Sequence, residues 1–172
     1  MTDASLLDEL ASDMAAHGMQ VVNLSLRGAG GSAGEGSWMG DAGEVHDVLA
    51  AADYAHHKLR ADKVHLLGYS FGATVTGAAL DARPFISTYT GVAYPLGHWW
   101  AKGVFGFGAK LLMHQHTSNL KQSAKPKLFL IGDKDDFTSK GSTARFARRC
   151  AEPWSVKIYP GANHFAFVVS PW

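Results

Sequence analysis

Three short signals, each directly behind an apolar run, constrain this chain more than any other feature. Gly68-Tyr-Ser-Phe-Gly72 follows Val64-His-Leu-Leu67, and Gly132-Asp-Lys-Asp-Asp136 follows Leu128-Phe-Leu-Ile131. Gly161-Ala-Asn-His164 comes after a third run, Ser155 to Tyr159. A serine, an acid and a histidine therefore each stand at the end of an expected strand. Those three residue types make a hydroxyl reactive when a carboxylate holds an imidazole and the imidazole takes the hydroxyl proton.

The intervening sequence supports a parallel sheet. Leu10 and Met14 share a helical face with Leu6 and Leu7, and Ser5 with Asp8 can form a capping box. Gly18 stops that helix. Met19 to Leu26 reads as a strand, because Val22, Leu24 and Leu26 alternate with Asn23 and Ser25. After the glycine-rich loop Arg27 to Gly40, a helix is expected from Asp41, whose carboxylate can cap it, to about Arg60. Val64 to Leu67 reads as a buried strand and Phe71 to Ala82 as the helix behind it. Phe85 to Val92, Pro126 to Ile131 and Ser155 to Tyr159 complete five strands, with a helix over Ser142 to Ala151. Strands alternating with helices predict an α/β three-layer sandwich with a mostly parallel sheet of about five strands. The 172 residues fit one domain, 1–172, without linker or repeat. Gly91 to His116 carries Trp99, Trp100, Phe105 and Phe107 without clear periodicity, and reads as a candidate cap or an irregular insertion.

Composition narrows the partners. Sixteen basic and 15 acidic residues give a net charge of +1 with no dense basic block, so nucleic acid is disfavoured. No apolar run reaches the roughly 18 residues of a membrane span. Cys150 stands alone, and the N-terminus, with Asp3, Asp8 and Glu9, is not a signal peptide; the expected compartment is the cytoplasm. His114-Gln-His116 lacks the carboxylates or cysteines that would complete a metal site. Gly28-Ala-Gly-Gly-Ser-Ala-Gly34 follows an expected strand, yet Glu35 to Gly40 separates it from the next helix, so its N–H groups cannot cradle a dinucleotide pyrophosphate. No cofactor and no metal are expected.

In a strand–turn–helix serine turn, glycines two positions before and after the serine relieve crowding and push the hydroxyl into the open. Gly68 and Gly72 are so placed, which makes Ser70 the candidate nucleophile. The pentapeptide alone is a weak signal; its ordered partners strengthen it.

The fragments Asn23 to Gly34, Gly68 to Gly72, Gly132 to Asp135 and Gly161 to His164 together resemble the α/β-hydrolase superfamily, and most closely its small dienelactone-hydrolase-like serine hydrolases. The resemblance spans about Leu6 to Phe165. It implies a serine hydrolase cleaving an ester, thioester or related acyl bond, with Ser70 as nucleophile, His164 as base and Asp135 as acid. Asp133 and Asp136 remain rivals for the acid. The Phe71 backbone N–H is the implied oxyanion donor, and Arg27 is implied to brace its loop. The partner is a small-molecule acyl substrate. Matched to that family, the chain lacks N-terminal strands, including a central one between Met19–Leu26 and Val64–Leu67, and the C-terminal helix. An open sheet edge would follow, inviting self-association. The alternative is a catalytically weak hydrolase-fold fragment with a binding role.

Overall fold

The structure is a computed structural model that describes residues 6–36, 42–96 and 117–165. In chain order its elements are α1 (Leu6–Ala16), α2 (Ala42–His57), β1 (Val64–Tyr69), α3 (Phe71–Ala78), β2 (Ile86–Val92), β3 (Lys127–Gly132), α4 (Lys140–Ala147) and β4 (Trp154–Tyr159). Residues 117–122 are also helical. The four strands form one parallel sheet in the order β1-β2-β3-β4. Right-handed crossovers between neighbours that advance in one direction put α3, the 117–122 helix and α4 on one face. The expected caps Ser5 and Asp41, the His114/His116 pair and most of the Gly91–His116 segment lie outside the described residues.

The sheet face under these helices is apolar and carries the core. Tyr89, Phe129, Leu80, Ile86 and Val75 are fully buried, and the Phe146 ring packs edge-on to Phe129 at 5.7 Å and stacks on Tyr94 at 5.1 Å. Helix α4 starts at Lys140 rather than Ser142, since the Ser139 hydroxyl accepts the Ser142 N–H at 3.1 Å and so caps it earlier. β3 opens on a residue that patterning misses. Lys127 is buried, and its ammonium donates to the carbonyls of Ser123, Lys125 and Ala151 at 2.6, 2.8 and 2.9 Å.

The expected first strand is the departure. Residues 19–26 belong to no strand, so among the described residues the sheet has four strands instead of five. Their alternation fits one covered face, yet they have no ladder neighbour. Among the described residues, the N–H groups of 20–25 make no backbone hydrogen bond, and Met19, Val21 and Val22 remain 49%, 36% and 40% exposed. Between this segment and β1 lies an apolar cleft of about 700 Å³, walled by Leu10 and Met14 of α1, Val22 and Leu24, Ala52 of α2, and Leu66. The N–H groups of Val64 and Ser70 donate to Phe85 O and Val92 O on the β2 side. Alternation therefore directs the N–H and C=O of His65, Leu67 and Tyr69 into the cleft.

Arg27 holds the loop behind 19–26 in place. Its Nε and Nη2 donate to the two carboxylate oxygens of Asp47 on α2 at 3.0 and 2.8 Å, and its backbone N–H adds a third bond at 3.0 Å. The bracing role expected of Arg27 is what its contacts describe. The guanidinium hydrogen bond holds the Asp47 carboxyl below the usual carboxylate range. A depressed carboxylate stabilises the fold above its unfolded value and loses that contribution as the pH falls through its folded one. Below about pH 4 the clamp is therefore expected to fail, and Asp47→Asn should flatten that part of an acid-unfolding curve followed by circular dichroism. An unchanged curve would show that other carboxylates govern acid unfolding.

Candidate active site

Each side chain of the candidate site is delivered by a strand end. β1 runs to Tyr69, Ser70 follows in the turn, and α3 begins at Phe71. Ser70 has φ +51° and ψ −120°, a conformation that a residue with a side chain adopts at a cost of about 1–3 kcal/mol. Gly68 is what permits it. A Cβ there would lie 2.4 Å from Gly72 O and from Thr76 Oγ1, and 2.6 Å from Ala73 Cα. Gly72 differs from expectation: a Cβ at this position would meet nothing within 4 Å among the described residues, so only the first glycine of the pair relieves crowding.

Behind β3, the turn 132–139 carries three aspartates with distinct environments. Asp135 is buried; its Oδ1 accepts the N–H groups of Phe137 and Thr138, both at 2.8 Å, and its Oδ2 accepts His164 Nδ1–H at 2.8 Å. Asp136 is exposed. Asp133 turns to the loop behind β4, where its Oδ1 accepts the Gly161 N–H at 2.7 Å. Of the three rivals, Asp135 alone meets the imidazole.

His164 is 4% exposed. With Nδ1–H given to the carboxylate, Nε2 is left as an acceptor, and Ser70 Oγ lies 3.0 Å from it. Phe137 covers the imidazole at a centroid distance of 4.2 Å. The Tyr69 hydroxyl donates to the His164 carbonyl at 2.9 Å. Burial, then the nearby Asp135 charge, pushes the Tyr69 phenol up, so it stays a donor across the physiological range. The structure thus brings Ser70, Asp135 and His164 into one hydrogen-bonded line from three strand ends up to 94 residues apart. Tyr69, Phe137 and Asp133 also belong to the site, and sequence reasoning assigned none of them this part. Phe71, the first residue of α3, has an N–H with no intrahelical acceptor.

A family model described as the alpha/beta hydrolase fold matches residues 3–84. Among curated proteins, an uncharacterised protein of Rickettsia prowazekii is 28% identical over 87% of this chain and 59% of its own length, so this chain spans little more than half of that relative. An alpha-beta serine hydrolase homologue from Coxiella burnetii superposes with a TM-score of 0.71 at 26% identity, covering 96% of this chain and 70% of that one. A serine hydrolase without a lid from Xanthomonas campestris gives 0.62 at 26% identity, over 81% of this chain and 55% of that one. No helix among the described residues is long and apolar enough to cross a membrane. The parallel sheet, the serine turn at the end of β1 and these likenesses show that this chain has an α/β-hydrolase fold.

Proposed function

We propose that this protein cleaves an ester, thioester or related acyl bond with Ser70 as nucleophile, His164 as general base and then acid, and Asp135 as the group that orients His164. One observation carries the reading: the continuous line from Ser70 Oγ through His164 to Asp135, at 3.0 and 2.8 Å. Ser70 Oγ bonds to the acyl carbon as its proton passes to His164 Nε2. The carbonyl oxygen becomes the oxyanion and meets the Phe71 N–H, at the positive end of α3. Collapse expels the alcohol or thiol, which takes the proton from His164. Water then repeats the sequence on the acyl-enzyme, releasing acid and free Ser70. Asp135 fixes the Nδ1–H tautomer and stabilises the imidazolium.

The acyl substrate is a small molecule, and the Gly91–His116 segment is the candidate cap over it. Two solved structures at 26% identity are described as α/β serine hydrolases, which supports the class of reaction. Cys150, a buried free thiol, fits a cytoplasmic setting. The open outer edge of β1 is proposed as a surface for self-association; sedimentation across a hundredfold concentration range should show mass rising with concentration, and a constant monomer mass would remove that proposal. The test of the reaction is covalent labelling with a fluorophosphonate probe, with the adduct mapped to Ser70 by mass spectrometry. A folded protein that does not label would leave a hydrolase-fold binding protein instead.

A further inference from the structure

The reading above gives His164 two partners, but neither fixes the loop that carries it. Residues 160–165 leave the sheet after β4, and Ala162 is buried against Val92 and Ala93. Among the described residues, the hydrogen bonds that tie the backbone of this loop to other segments are the Lys134 N–H on Ala162 O at 2.9 Å, the Asp133 carboxylate on the Gly161 N–H at 2.7 Å, and the Tyr69 hydroxyl on His164 O at 2.9 Å. The two side-chain ties come from immediate neighbours of the reacting groups. Tyr69 precedes Ser70, and Asp133 stands two residues before Asp135. The acid loop is itself fastened, since the Asp133 N–H donates to Tyr159 O at 3.0 Å.

Resting on the proposed reaction, we infer that Asp133 and Tyr69 are positioning residues: a clamp in which the serine turn and the acid turn each reach across to the histidine loop and set the imidazole between them. The chemistry suits the task. A carboxylate oxygen on a backbone N–H and a phenol on a backbone carbonyl are short, directional bonds that do not compete with the imidazole for its own partners. The Gly161 N–H is exposed, so water replaces the Asp133 oxygen when it is removed. Loss of the clamp should therefore cost alignment far more than stability, and an error of about 1 Å in the base lowers the rate on the order of tenfold to a hundredfold.

The experiment compares the wild type with Asp133→Ala, Asp133→Asn and Tyr69→Phe, using fluorophosphonate labelling of Ser70 and hydrolysis of p-nitrophenyl acetate, well below the melting temperature. Asp133→Ala and Tyr69→Phe should each lower the labelling rate and kcat about tenfold or more while KM stays within about twofold. Asp133→Asn keeps an oxygen that accepts the Gly161 N–H and should recover to within about threefold of the wild type. Wild-type labelling by Asp133→Ala, or Asp133→Asn as slow as Asp133→Ala, overturns the clamp. If the wild type itself does not label, the proposed reaction fails and the clamp is decided by proton NMR. A downfield His164 Nδ1–H resonance that is sharp in the wild type and lost in Asp133→Ala supports it, and one unchanged in Asp133→Ala sinks it.

Discussion

Alanine in place of Ser70 is expected to abolish acyl transfer, with a loss on the order of 10⁴-fold or more in kcat and no fluorophosphonate adduct. The effect is large because no other group in the site can form the covalent intermediate: the two neighbours of the serine are Tyr69 and Phe71, and the phenol of Tyr69 is engaged with the His164 carbonyl. His164→Ala should fall comparably, and Ser70→Ala/His164→Ala no further than either alone, since the pair acts as one unit. Asp135→Asn is the informative intermediate. The amide can donate its own N–H to Nδ1 and so favours the tautomer with the proton on Nε2, where it blocks proton uptake from Ser70. A loss of about 10⁴-fold is the expectation. Steady-state hydrolysis of p-nitrophenyl acetate reads all of these. Turnover by Ser70→Ala at the wild-type rate would remove Ser70 as nucleophile.

The largest effect expected on the fold comes from one methyl group. A Cβ at Gly132 would lie 2.0 Å from Ala162 O and 2.6 Å from Ala162 C, both backbone atoms without a side-chain rotation to absorb the clash. Gly132→Ala must therefore push the end of β3 away from the histidine loop. A cost of about 3 kcal/mol is expected for such overpacking. For a chain of this length that lowers Tm by roughly 6–12 °C. Ala162 stands two residues before His164, so labelling of Ser70 should slow in any molecules that remain folded. Gly72→Ala is the control. Its Cβ meets nothing within 4 Å among the described residues, and in helix α3 alanine gains on glycine, so stability should hold or rise slightly. Differential scanning calorimetry separates the two; a Gly132→Ala melting point within about 2 °C of the wild type would refute the close approach.

What could be read from residues alone followed the range of the forces involved. The runs Val64–Leu67, Leu128–Ile131 and Ser155–Tyr159 became β1, β3 and β4 because short β-branched and apolar runs between turns favour a pleated strand. Ser70 and His164 stood out through the order of three turns behind three apolar runs rather than through the glycines alone, although Gly68 does show the crowding that demands one. Met19–Leu26 carries a strand's alternation but not its hydrogen bonds. Side-chain patterning reports a covered face, whereas a ladder needs a neighbour that local sequence cannot name. The same limit governs the acid. Asp133, Asp135 and Asp136 are chemically equal in a string of letters, and only the path of the turn aims one at the imidazole and another at Gly161. Tyr69 and Phe137 were overlooked for a related reason: an aromatic beside a motif looks the same whether it fills a core or steadies an imidazole.

The cleft beside β1 shares its walls with the serine turn. Gly68, Tyr69, Gly72 and Thr76 border it, and these same residues form and flank the bend on which Ser70 sits. A side chain enlarged on that wall would therefore press on the bend from behind, without touching Ser70, Asp135 or His164.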